Sequence, residues 1–527
     1  MNEQPSLVAR LGALLKRIRW WIPAVIVALA FANRLRIRSS TELDGNTKGM
    51  QIALTFLVTI VLLVLWFAFF SRLRWRVRIA GILLFGLFIF GLTRLLRFDG
   101  AADGNGSPII VWKWKPKRTG DVGPLKIIAL TPVTNIDAVV GDDSGYLGPN
   151  RNGILEKLSL NPDWTAHPPQ PLWRQPIGLG WSSFAVSGQR AFTQEQRGEN
   201  ELVVCYELAS GSVLWAHTNR VRFGEPLGGD GPRATPTISG GRVYAVGGTG
   251  ILDCLDAATG KLIWSHDTLK ENSLPNLPFG KTCSPLVFDD LVVVTGGETN
   301  GPSLLAYHLK DGSSAWQAGT DKTSFSSPTL ATLAGKRQIV CVNGGSVTGH
   351  DPSCGAVLWT YAWKGDWPKC TQPVVLPPDR IFVAASFNAG CILLQLTSTS
   401  DGKVSVAEKW KNRNMKSEFS NIVTREGFAY GLDDGILACV DLATGERKWK
   451  DGHYGHGHVL LVGDLLLIQT EQGPVALVEA KPSGFKELGN FAALQSKTWN
   501  VPVVVDGCLL VRNDQNAACY KLPLVQP

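Results

Sequence analysis

The sequence predicts an all-β chain: an eight-bladed β-propeller of four-stranded antiparallel blades, closed by strands from both ends of the array. Two or three transmembrane helices are expected to precede it. Three observations carry this reading. A phrase ending in tryptophan recurs at a spacing of about 45 residues, the period of a propeller blade. The last unit stops one strand short, while a lone strand bearing the same tryptophan opens the array. The first hundred residues hold long uncharged runs.

The recurring phrase is CYELASGSVLW ending at Trp215, CLDAATGKLIW at Trp264 and AYHLKDGSSAW at Trp316. GHDPSCGAVLW follows at Trp359, CVDLATGERKW at Trp449, and a stretched copy, LQLTSTSDGKVSVAEKW, at Trp410. Each reads strand, turn, strand. The turn is Ser-Gly, Thr-Gly or Asp-Gly because a tight hairpin needs a positive φ, which Gly supplies without steric cost. Two more strands precede each phrase, as in TPTISGGRVYAVG (235–247) and SPLVFDDLVVVTG (284–296). A degenerate unit, 458–491, has Phe485 or Phe491 where Trp is expected. Residues 499–522 supply three strands, and the lone strand around Trp173 completes them, so the ring has no exposed edge. Trp173, Trp215, Trp264, Trp316, Trp359, Trp410 and Trp449 are expected to dock between neighbouring blades.

The ten cysteines fit the same scheme. Cys205, Cys254, Cys439 and Cys519 occupy equivalent places ahead of the turn, where Ala306 also stands, so a small packing residue is expected there. No Cys-x-x-Cys and no adjacent Cys pair occurs, which argues against zinc and redox chemistry. A composition that is 45% hydrophobic with 18 Trp excludes a mainly disordered chain.

The net charge of +8 is local. Residues 1–100 carry 14 Lys/Arg against Glu3, Glu42, Asp44 and Asp99, so the remainder is slightly acidic. Cations beside apolar runs orient membrane segments, and no basic domain is left for nucleic acid. Residues 51–70 form an uncharged run of bilayer-spanning length, followed at once by Arg72, Arg74, Arg76 and Arg78. Residues 79–93 are a second candidate and 20–33 a third, marginal one. With three spans, the cation count of eight against six places 1–19 and 71–78 in the cytoplasm and the C-terminal domain outside. Residues 1–98 thus read as a membrane anchor, 99–165 as a linker with one aromatic-basic strand, IIVWKWKPKR, and 166–527 as the propeller.

The phrase A-x-D-x-x-T-G-x-x-x-W, clearest around Asp256, Thr259, Gly260 and Trp264, resembles the tryptophan-docking repeat of the pyrroloquinoline-quinone (PQQ)-like propeller family. The resemblance covers about residues 171–522 and implies a bacterial origin. It implies either of two activities, because the superfamily holds quinoprotein alcohol dehydrogenases and a non-enzymatic propeller that assists outer-membrane protein assembly. The dehydrogenases often set an adjacent-Cys ring against the quinone and hold calcium through a Glu and an Asn near a catalytic Asp. This chain lacks the Cys pair, and no such trio aligns. It also lacks the lipidated Cys of the assembly propellers, since no Cys precedes Cys205.

Function is expected on the face that carries the long connections, since loops on a rigid scaffold bear the binding groups. Candidates there are Gln194, Glu195, Arg197, Arg233, Asn412, Arg413, Asn414, Lys416, Trp499, Arg512 and Asp514, as ligand groups or as internal pairs. His453, His456 and His458 lack a metal-ligand spacing, so no metal site is assigned. No Walker loop, G-x-S-x-G elbow or H-E-x-x-H motif appears, so no catalytic residue is assigned either. The expectation is a periplasmic propeller anchored in the bacterial inner membrane, with lipid around its helices, that binds or scaffolds envelope proteins or a polar ligand. It would work without cofactor. The alternative is a PQQ- and calcium-dependent alcohol dehydrogenase.

Overall fold

In a computed structural model of the protein, residues 19–40, 43–116, 122, 123, 125 and 145–525 are described, except 366 and 388. The cationic stretch 1–18 and most of 117–144, the middle of the expected linker, lie outside the described residues. The chain divides into two compact units, Met1–Lys117 and Arg118–Pro527.

The first unit holds helices Trp21–Ser39, Gly45–Leu65 and Trp75–Leu95, the second of them continued by a π-helical turn, Trp66–Phe70. Two are long and apolar enough to cross a membrane by length and composition, Gly45–Phe70 and Trp75–Leu95. The helix around residues 20–33 runs on through Arg34, Arg36 and Arg38, and these charges keep it below that mark. A hairpin, Leu96–Ala101 with Pro108–Trp112, follows the last helix without a break.

The second unit is a ring of eight antiparallel sheets. Blades 1 to 7 span 185–219, 237–267, 286–318, 329–362, 374–412, 423–453 and 458–491. Blade 8 takes three strands from 503–521 and its outer strand from Gln170–Pro176. The closing register sets Cys519 opposite Trp173, just as Cys205, Cys254 and Cys439 face Trp215, Trp264 and Trp449 in their own blades. The small thiol leaves room for the indole beside it. Among the described residues, eight hydrophobic clusters occupy the eight junctions between blades, so the core is distributed around the ring.

The docking rule is specific. Trp173, Trp215, Trp264, Trp410 and Trp449 donate their Nε1–H to the carbonyls of Leu208, Ala257, Leu309, Leu442 and Lys481 in the next blade, at 2.8–3.1 Å. Each acceptor lies three residues before a turn glycine. In four of these turns the glycine also lies flat on the indole: a Cβ on Gly211, Gly260, Gly312 or Gly445 would come within 2.4–2.8 Å of the ring or its neighbours. Gly355 packs on Trp316 in the same way, although Trp316 Nε1 finds no acceptor among the described residues. Trp359 differs. Blade 5 has a lengthened outer hairpin, Gly390–Ser398 with Val404–Asn412, so no turn reaches this indole, and it bonds Gln338 of its own blade instead.

Two features near the axis have no counterpart in the repeat phrase. Hydroxyls at the head of the inner strands link blades: Ser183 N donates to Thr235 Oγ1, Thr235 N to Ser284 Oγ, and Ser284 N to Ser327 Oγ, at 2.9–3.1 Å. The segment 145–155, read as part of the linker, is built into the ring. Gly145 lies against Thr237 of blade 2, and Arg151 donates to the carbonyls of Ser284 and Pro285 at the head of blade 3. Gly153 packs on Asn421 and Val423 of blade 6, and Ile154–Leu155 pairs in parallel with the inner strand of blade 7. Blades 2 and 3 stand opposite 6 and 7, so the chain itself fills the axis between them. The physical reason is apolar content: Leu147, Leu160 and Trp164 are buried in the cluster between blades 7 and 8.

Candidate binding face

The turns between second and third strands, and the connections from each outer strand to the next inner strand, share one face of the ring. Most sequence-derived candidates lie there, engaged with the protein's own backbone. Gln194 is buried and donates Nε2 to the carbonyls of Ala234 and Val246, tying blade 1 to blade 2. Glu195 is buried, accepts from Gly178 N at 2.6 Å and pairs with Arg197 at 2.8 Å. Arg512, also buried, donates to Thr193 Oγ1 and to the carbonyls of Gln194, Gly178 and Gly180, which locks blade 8 to blade 1 across the closure. Burial pulls its pKa down to about 10, with Glu195 and Asp514 opposing that shift.

Arg233 spans the carbonyls of Gly229 and Gly231 and the Glu225 carboxylate, with its guanidinium 4.7 Å from the Phe223 ring centre; burial lowers its pKa to about 10. Asn412 and Asn414 both donate to the Gly445 carbonyl at the junction of blades 5 and 6. Lys416, Arg447 and Lys450 pair with the buried Asp433 at 2.8, 3.2 and 2.6 Å. Arg413 is exposed to solvent. The structure thus gathers Gln194, Glu195, Arg197, Arg512 and Asp514 at the closure, and Asn412, Asn414 and Lys416 about blade 6.

Trp499 belongs to an aromatic group the repeat did not reveal. Its ring lies 4.9 Å from Trp181 and 5.2 Å from Phe419, and Lys497 Nζ sits 4.1 Å above it. Glu471 accepts from Trp499 Nε1 at 2.7 Å and from His456 N at 3.1 Å. Glu418 pairs with the buried His456, and burial pulls the His458 pKa down to about 4, so these histidines are packing groups of the connections. The available sequence signal was a shorter repeat, Trp181-Ser182, Phe325-Ser326 and Phe419-Ser420, an aromatic ahead of a hydroxyl at the head of an inner strand.

A quinone with calcium needs an open slot and free oxygen ligands. Residues 145–155 take the axial space. The buried carboxylates of Glu195, Asp433 and Glu471 are engaged by the bonds above, and no group of three His, Cys, Asp or Glu suited to a metal exists among the described residues. The residues present do not fit that pair.

A curated relative from Shewanella oneidensis, outer membrane protein assembly factor BamB, is 22% identical over 356 residues, covering 64% of this chain and 84% of its own. Among solved structures, BamB from Moraxella catarrhalis superposes with a TM-score of 0.50 at 16% identity, over 68% of this chain and 99% of that one. Quinohemoprotein alcohol dehydrogenase from Comamonas testosteroni superposes at 0.53 and 12% identity, over 74% and 82%. These structural likenesses speak for the fold alone. The family model PQQ_2, described as outer membrane protein assembly factor BamB, matches residues 168–275 and 199–451, more than half of the sequence. The chain therefore belongs to this PQQ-like β-propeller family.

Proposed function

We propose that the protein is an envelope scaffold: a propeller held at the bacterial inner membrane by its N-terminal helices, on the periplasmic side, that binds proteins during their assembly. The observation that carries this reading is the filled axis. With residues 145–155 seated between opposite blades and the inner carboxylates engaged, the ring offers a contoured face of connections rather than a cofactor slot. Relatives named as outer membrane protein assembly factors support the same reading. The two apolar helices support the anchor.

The test uses the full chain in mild detergent. Arg413 is the suitable probe because it is exposed, whereas the Arg233 side chain is only 8% exposed and holds the Gly229 and Gly231 carbonyls, so its loss would disturb the fold. Arg413→Glu is expected to weaken co-purification of envelope proteins while the thermal transition stays put. Saturable uptake of PQQ with calcium, with an absorbance change on adding alcohols, would overturn the scaffold reading.

A further inference from the structure

The hairpin after the last apolar helix has one face that nothing in its unit covers. Cross-strand pairs share a face, and the register pairs Leu96 with Trp112 and Phe98 with Ile110. Phe98, Ile110 and Trp112 are exposed on that side, Ile110 at 61%, and Trp114 just beyond the strand is exposed at 67% and stacks on Trp112 at 4.7 Å. The opposite face is satisfied internally. Arg97 pairs with Asp99 at 3.1 Å and donates to the carbonyls of Lys113, Lys115 and Pro116.

The hairpin is also fixed to the helix end. Lys113 N donates to the Leu95 carbonyl at 2.8 Å, and Lys113 Nζ to the Thr93 carbonyl at 2.9 Å. A two-stranded hairpin is marginally stable in water, and exposed aromatics on one make it worse. At a bilayer surface the same composition is favourable. Trp rings settle at headgroup depth, and Lys and Arg reach the lipid phosphates. Arg94 in the last turn of the helix, with Lys113 and Lys115 just beyond the second strand, all exposed, supply those cations.

We infer that this hairpin is an interfacial foot: its face of Phe98, Ile110, Trp112 and Trp114 lies in the headgroup layer of a phospholipid bilayer, with Arg94, Lys113 and Lys115 against lipid phosphates. The inference rests on the membrane reading above. Continuity selects lipid as the occupant. Leu95, the last residue of an apolar helix of spanning length, is bonded directly to the hairpin, so the face emerges where such a helix leaves hydrocarbon.

The test is spin labelling of the full chain in nanodiscs of mixed zwitterionic and anionic phospholipid, in a Cys354→Ser background that removes the exposed native thiol. Labels go separately at Ile110→Cys, at Phe98→Cys on the partner strand, and at Leu84→Cys in the helix, with a label on native Cys354 as the aqueous reference. Both hairpin labels are expected to show an oxygen-to-nickel accessibility ratio several-fold above that of Cys354 and below that of Leu84→Cys. Hairpin labels that match Cys354 while Leu84→Cys reads as hydrocarbon would overturn the foot alone, and so would labels shielded from both reagents, which would mean a protein cover or a second copy. A Leu84→Cys label that also reads as aqueous would bring down the membrane reading itself.

Discussion

The Trp164 side chain lies over the backbone of Gly489, so close that a Cβ on that glycine would stand 3.1 Å from the Cβ of Trp164. Gly489 faces Leu477 across the outer hairpin of blade 7, the register position that holds the docking tryptophan elsewhere. Neither Phe485 nor Phe491 takes that position. Phe485 packs edge-on against Trp449, and Phe491 meets Trp164 and Tyr520 edge-on. The missing indole of blade 7 is supplied by a segment upstream of the array.

Trp164→Ala should therefore cost as much as the loss of a docking tryptophan, about 3 to 5 kcal/mol for a buried Trp truncation. Thermal unfolding of the full chain in detergent checks this. A change within the error of a surface substitution would mean that Trp164 does not close the junction between blades 7 and 8.

The turn glycines separate two effects. Gly260 and Gly402 have φ of 72° and 76°, so alanine is strained at both. At Gly402 the added Cβ meets nothing within 4 Å, whereas at Gly260 it would strike the Trp215 ring. Gly402→Ala is expected to cost about 1 kcal/mol, the left-handed penalty alone. Gly260→Ala is expected to cost about 2 kcal/mol more from overpacking. Equal costs in chemical denaturation would show that the indole does not press on the turn.

Glu201 is buried at the junction of blades 1 and 2, where it accepts from Gly248 N and Thr249 Oγ1, and burial raises its pKa from 4.5 to about 7. The folded state thus holds a proton that the unfolded chain releases at lower pH. This contribution is complete below pH 4.5 and is lost as the pH rises through 7. Wild type should lose up to about 3 kcal/mol between pH 4.5 and 8 relative to Glu201→Gln, which keeps the acceptor and cannot ionise. Thermal scans of the pair across that range check the sign, and a gap that widens toward acid pH would reverse the assignment.

Blade number and docking indoles were legible because they are local, and closure because each end of the array carries an incomplete copy of the same unit. The tight turn between third and fourth strands needs a glycine, and that turn receives the indole of the preceding blade, so most blades repeat the same letters. The axial segment and Trp164 were not legible, since nothing in GYLGPNRNGI repeats and its partners lie on opposite sides of the ring. The candidate face was legible as a place but not residue by residue. Polar side chains such as Gln194 and Arg512 sit in long connections because the carbonyls of Ala234, Val246 and Gly178 there have no ladder partner and need donors. In sequence, a side chain that serves its own backbone looks the same as one that awaits a ligand.

The scaffold account is tested most directly by photo-crosslinking in living cells, with a photoreactive residue at Arg413 on the connection face or at Lys310 on the opposite turn face. Both sites are exposed. The account predicts adducts with proteins of the envelope assembly process from Arg413 and few or none from Lys310. Adducts confined to Lys310, or none from Arg413 in a folded and membrane-located chain, would contradict it.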